Sequence, residues 1–254
     1  MRPSGRLLRL ALALAAMVAL ALLFAGCNAF GGDQNTFAPE GDVAKQQRDL
    51  FLVVLWPAIV VLCIVVAALV YILVRYRRRS EDDPIPEQIH GNTRLELAWT
   101  IAPAALLIGI TVPVVMGIIE LGRDADEDAL QVHVIAQRFN WIFEYPEITT
   151  PDGELLRTTD GVLHIPIDRE IAVDLTGLDV IHSFWVPKLA GKQDAVPGRT
   201  NSMWFNATRP GVYAGQCAEF CGIGHSDMKF SVEAHTEEEF QAWVDEQLEG
   251  APAP

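Results

Sequence analysis

Two thiols, an imidazole and a thioether fall within the twelve residues Cys217-Ala218-Glu219-Phe220-Cys221-Gly222-Ile223-Gly224-His225-Ser226-Asp227-Met228. Sulfur donors mixed with imidazole select copper, or zinc among competing ions. The four-residue interval between Cys217 and Cys221 lets both sulfurs face one point across a looped backbone. Gly222 and Gly224 permit the tight path that returns His225 to that point. One earlier histidine completes the donor set. His182 follows Asp179-Val180-Ile181 and precedes Ser183-Phe184-Trp185, at the end of an expected strand. A sheet fold can supply one ligand from such a position and the rest from a later loop.

Two blander chemistries compete for the same residues. Cys217 and Cys221 could pair as a disulfide if the domain faces an oxidising compartment, but His225 and Met228 would then share no purpose. A closed zinc site could use His182, Cys217, Cys221 and His225, but it has no use for Met228. The other histidines, His90, His133, His164 and His235, stand without such company in the sequence and read as surface or core residues. Cys63, inside an apolar run, reads as packing.

The elements that must position these groups divide the chain in two. Half of its 254 residues are apolar, and they concentrate in the first half. Residues 1–26 have the form of a secretory signal: Arg2, Arg6 and Arg9 precede an apolar run too short for a bilayer span. The run ends in Phe24-Ala25-Gly26-Cys27, similar to the lipobox of bacterial lipoproteins, whose cysteine is acylated and becomes the mature N-terminus. Residues 27–48 read as an outer tether. Residues 50–74 carry no charge and, as a helix, would reach roughly 37 Å, enough to cross a membrane. Arg75, Arg77, Arg78 and Arg79 follow, and the positive-inside rule makes that loop cytoplasmic. A second apolar stretch, 97–119, returns the chain to the outside, so residues 49–120 form a transmembrane helical hairpin. Pro103 and Pro113 should bend its second helix.

From residue 120 onward, 24 acidic residues face 9 basic ones, against a net charge of −14 for the whole chain. Nucleic acid is excluded as a partner, because a polyphosphate needs clustered Lys and Arg. Short β-rich runs at 131–136, 141–145, 162–167, 171–175, 202–206 and 229–233 predict an antiparallel sandwich or barrel over 121–254. Thr236-Glu237-Glu238-Glu239 matches a capping box that opens a C-terminal helix striped by Phe240, Trp243, Val244 and Leu248.

Taken together, residues 45–249 resemble cytochrome c oxidase subunit II. The resemblance rests on the helical hairpin, the aromatic stretch before Glu144-Tyr145-Pro146, the segment 179–187, residues 192–199 with Pro197-Gly198-Arg199, and the 217–228 loop. It implies an all-β cupredoxin domain, a Greek-key β-barrel, outside the cell membrane. It also implies a dinuclear copper centre bridged by Cys217 and Cys221, with His182 and His225 each capping one ion. Met228 would be a weak axial ligand to one copper and the carbonyl of Glu219 to the other. The Glu219 carboxylate would bind magnesium at the interface with the catalytic subunit. Glu96 matches the mouth of a proton-conducting channel into that subunit. Phe139 stands where relatives served by soluble cytochrome c carry a tryptophan that receives electrons, and Trp141 lies two residues later. That substitution suits a donor held permanently in place, such as a membrane-anchored cytochrome c domain.

The implied function is to take electrons from a cytochrome c and pass them to haem in catalytic subunit I, with subunit III as a further partner. Oxygen would be reduced to water there, with proton translocation. Nitrous-oxide reduction uses a similar copper loop, but usually beside a large propeller domain. A copper carrier would keep its site open with fewer ligands. A quinol-oxidase subunit of the same fold would lack the copper ligands.

Overall fold

In the computed structural model of the chain, the described residues are 31–77, 80, 87–88 and 91–250. The expected signal over 1–26, the acylation at Cys27, and Arg78, Arg79 and His90 lie outside them. Two long helices come first, α1 (Asp42–Arg75) and α2 (Thr93–Leu121). Both are long and apolar enough to cross a membrane. Their side chains are exposed along most of both lengths, as expected of surfaces that face lipid or another subunit. Near their outer ends the two helices touch, with the Leu50 side chain packed against the bare backbone of Gly117.

The segment expected to be a tether over 27–48 is helical from Asp42 onward, earlier than its composition suggested. The reason is docking. Val43 and Ala44 are each only 4% exposed, packed into the β-domain. Asn206 Nδ2 donates to Asp42 Oδ2 at 2.7 Å, and the Asp42 N–H donates to Asn206 Oδ1 at 2.8 Å. The N–H groups of Glu40 and Ala44 donate to the carbonyls of Lys188 (2.8 Å) and Leu189 (3.2 Å). Arg209 pairs with the Glu40 carboxylate. The first membrane helix therefore begins on the outer domain itself.

That domain has ten strands: β1 (Leu130–Gln137), β2 (Asn140–Thr149), β3 (Leu155–Thr158), β4 (Val162–Pro166), β5 (Ile171–Gly177), β6 (His182–Trp185), β7 (Lys192–Ala195), β8 (Asn201–Phe205), β9 (Gly211–Cys217) and β10 (Lys229–His235). They form two five-stranded sheets, ordered β3-β2-β1-β5-β8 and β4-β10-β9-β6-β7. The expected sandwich is present, but it is mixed rather than wholly antiparallel: β1 pairs with β5, and β4 with β10, in parallel. Parallel neighbours require a crossover, and here each pair is joined through intervening strands. Alternation along β1 and β5 sends Leu130, Val132, Val134, Ile171, Val173 and Leu175 into a core that residues of both sheets share.

Strands β3, β7 and β9 had no clear sequence signal, and the strand expected to end at His182 instead begins there as β6. Their sequences, LLRT, HSFW, KQDA and GVYAGQC, are short or mixed, and only pairing with neighbours makes them strands. The C-terminal helix α3 (Glu237–Gly250) opens on the expected capping box. The Thr236 N–H donates to Glu239 Oε2 at 2.9 Å, and the Glu239 N–H donates to Thr236 Oγ1 at 3.3 Å.

Candidate metal centre

His182 is the first residue of β6, and Cys217 is the last of β9, the neighbouring strand. Phe184 pairs with Cys217 in that ladder, so the two ligand positions are set by sheet register. Beyond Cys217 the chain turns out through Cys221 and re-enters by a 3₁₀ turn over His225–Asp227. The Cys217 N–H donates to the carbonyl of Met228 at 2.9 Å and closes the loop. Gly222 takes φ +139, which a side chain would resist. A Cβ at Gly224 would lie 2.7 Å from the ring of Phe139. Phe139 therefore packs directly on the loop backbone.

The six expected donors converge. Cys217 Sγ lies 3.8 Å from His182 Nδ1 and 3.2 Å from the Glu219 carbonyl. Cys221 Sγ lies 3.7 Å from His225 Nδ1 and 3.8 Å from Met228 Sδ. The two sulfurs are 3.9 Å apart, far beyond a disulfide bond of about 2.05 Å. They are still near enough for one metal ion with bonds of about 2.3 Å to touch both. Burial, the neighbouring Cys217 and a hydrogen bond with it push the Cys221 thiol up to about 11. Two adjacent thiolates in such a place need a cation between them. The donor set thus fits metal, with an imidazole at each end and the sulfurs in the middle.

Neighbouring groups hold these donors in place, and of them Asp179 was not singled out by the sequence. His182, fully buried, contacts Asp179 Oδ1 through Nε2 at 2.9 Å, leaving Nδ1 for the site. Partial burial pushes Asp179 up, but hydrogen bonds from His182, from the N–H and guanidinium of Arg138 and from the Val180 N–H outweigh it. Its carboxyl stays well below the usual range. The available signal was spacing: Asp179 stands three residues before His182. Trp141 is completely buried beneath the loop, and its Nε1–H donates to the Met228 carbonyl at 3.4 Å. Its ring also packs edge-on against His182 and Phe184.

Glu219 is exposed, with its carboxylate available to another chain. Glu96 lies far from this site in sequence, in the first turn of α2. Its Oε1 accepts the Asn92 N–H at 3.1 Å, while the Asn92 side chain accepts from the N–H groups of Arg94 and Leu95.

Residues 138–235 match the family described as cytochrome c oxidase subunit II, periplasmic domain, and residues 38–116 match its transmembrane domain. The chain is 33% identical over 243 residues to quinol oxidase subunit 2 of Bacillus spizizenii, across 93% of this chain and 72% of that one. The chain belongs to the cytochrome c oxidase subunit II family. Cytochrome c oxidase subunit 2 of Alkalihalophilus pseudofirmus is 37% identical over 233 residues, covering 89% of this chain and 65% of its own length. The Bacillus subtilis (strain 168) cytochrome c oxidase subunit 2 is 36% identical over 241 residues, covering 89% and 65%. Among solved structures, the periplasmic domain of subunit II of cytochrome oxidase of Bradyrhizobium japonicum superposes with a TM-score of 0.44 at 29% identity. It covers 50% of this chain and 96% of that one.

As a subunit II, the chain is a membrane component of a haem-copper oxidase, an oxidoreductase, with a cupredoxin domain on the outer face. His182, Cys217, Cys221 and Met228, the buried donors, lie within the stretch matched to the periplasmic domain.

Proposed function

We propose that this subunit receives electrons from a cytochrome c on a dinuclear copper centre and delivers them to haem in catalytic subunit I, where oxygen becomes water and protons are translocated. The observation that carries this reading is the gathering of six donors, three of them sulfur, around the buried sulfurs of Cys217 and Cys221. A relative that oxidises quinol directly has no need of that set. This favours the cytochrome c branch of the family over the quinol branch, although both names occur among its relatives.

When bound, copper would supply a one-electron redox unit to this donor set. Cys217 and Cys221 would hold the metal together with His182 and His225. Met228 and the Glu219 carbonyl, which lie beside different sulfurs, would add weaker donors. Asp179 orients His182, and the buried aromatic floor of Trp141, Phe184 and Phe230 keeps water from the inner face. Rigid ligands in a dry site are what small reorganisation requires.

Phe139 is 39% exposed and lies on the loop, which suits a surface contact for the donor. Trp141, with no exposed surface, suits packing instead. An acidic outer face steers a basic donor, an attraction that salt weakens. A donor anchored in the same membrane or supercomplex would compensate for the missing surface tryptophan. The exposed Glu219 carboxylate would complete a magnesium site only with residues of the catalytic subunit. Glu96, at the cytoplasmic end of α2, would collect protons for that subunit. The proposed setting is the cell membrane, in complex with subunits I and III, with Cys27 as a lipid anchor after removal of 1–26. The proposed outer unit is 121–254 and the proposed hairpin is 49–120.

Electron paramagnetic resonance of the full chain, copper-loaded in detergent, tests the centre. The expected spectrum has the many-line hyperfine pattern of one electron shared by two equivalent copper nuclei. Cys217→Ser should abolish it. A single-copper pattern in the unaltered chain, or a shared pattern that survives Cys217→Ser, would sink the assignment.

A further inference from the structure

His164 and His235 read as isolated residues in the sequence, 71 positions apart, yet the fold makes them neighbours. The parallel pairing of β4 with β10 sets His164 opposite Glu233, and His235 follows two residues later on the same face. His164 Nδ1 faces both partners, 2.9 Å from His235 Nε2 and 3.7 Å from Glu233 Oε2. All three ligand atoms lie within 4.8 Å of one another. Six residue steps along β10 at about 3.3 Å put His235 roughly 20 Å from the copper loop, so this cluster is separate from that centre.

We propose that His164, Glu233 and His235 form a second metal site, for a divalent ion of the zinc(II) or copper(II) class. Two imidazoles and a carboxylate are nitrogen and oxygen donors without sulfur, which suits divalent zinc or copper and does not suit copper(I). With metal–ligand bonds of about 2.0–2.2 Å, ligand atoms on one ion sit a little over 3 Å apart, close to the spacing found here. Three protein ligands at a half-buried site leave a fourth position for water or a partner's side chain.

Surrounding groups hold His164 ready to ligate. The Tyr145 hydroxyl accepts from the His164 N–H and donates to its carbonyl, both at 2.9 Å. Trp243 of α3 stacks on the imidazole with centroids 4.3 Å apart. Burial holds His164 below the ordinary histidine range, and His235 pushes the same way, against the pull of Glu233. An ion here would tie the edge strand β4 to β10, beneath the C-terminal helix.

The test uses the full chain in detergent with its copper centre already loaded, and zinc alone as the probe. Calorimetric titration should show one further zinc site per chain, with affinity at least tenfold weaker in His235→Asn and in Glu233→Gln. The copper resonance signal should persist throughout. A site whose affinity is the same in the His164→Asn, His235→Asn double variant would overturn the proposal, as would the absence of zinc binding. Should those variants fold poorly, zinc X-ray absorption on the unaltered chain decides the matter. A shell with two imidazoles supports the site, and one without imidazole overturns it.

Discussion

His182 has two ring nitrogens and two obligations: Nδ1 points to Cys217 and Nε2 is held by Asp179. Asp179 in turn takes hydrogen bonds from the Arg138 N–H at 2.9 Å and its guanidinium at 3.0 Å. A carboxylate behind a ligating imidazole fixes the ring's orientation and raises its basicity, and losing it commonly costs 10–100-fold in metal affinity. Asp179→Asn should therefore weaken copper binding by about that range, measured by competition against a chelator. The fold should remain, because Asn fills the same volume. Unchanged affinity would mean that Asp179 serves only the turn before β6.

At the scale of elements, the telling feature is how α1 meets the β-domain. Its N-cap, Gly41, sits so close to the domain that an added Cβ would lie 2.3 Å from the Asn206 carbonyl and 2.8 Å from that of Leu189. Both obstacles are backbone, so neither can swing aside. Gly41→Ala should cost about 1–3 kcal/mol through overpacking. It should also loosen the Asp42–Asn206 pair and expose residues 31–45 to protease. Limited proteolysis of the detergent-solubilised chain reads this directly. A cleavage pattern like that of the unaltered protein would show that the backbone shifts without releasing the helix.

For the whole molecule, the second joint between membrane and outer domain is electrostatic. Arg123, just beyond α2, pairs with Glu170, Glu120 and Asp126 and lies over the Trp204 ring at 4.0 Å. Burial pushes the Glu170 carboxyl up, but Arg123 and the Asp126 N–H more than compensate and hold it below the ordinary glutamate range. A carboxylate whose folded pKa is depressed contributes in full above its unfolded value, and that contribution is lost as pH falls through the folded one. Glu170→Gln should lower stability at neutral pH by about 1–2 kcal/mol. Below the folded pKa the variant and the unaltered chain should converge. Thermal melts across a pH series measure the difference between the two. A constant difference at all pH values would mean that the glutamate acts through shape alone.

The candidate donors of the 217–228 loop, the apolar hairpin, the alternation of β1 and β5 and the capping box at Thr236 were all legible in the sequence. Each is a local property: spacing within one loop, one helical run, one strand or one turn. Partnership across the chain was not legible. The parallel register that joins His164 to His235, the burial of Trp141 and the docking of residues 40–44 on 188–189 and 206–209 all depend on which segments became neighbours. Short strands such as KQDA and HSFW likewise owe their conformation to hydrogen bonds from distant segments. Donor chemistry is written residue by residue, whereas the distances between donors come into being only when the sheets close.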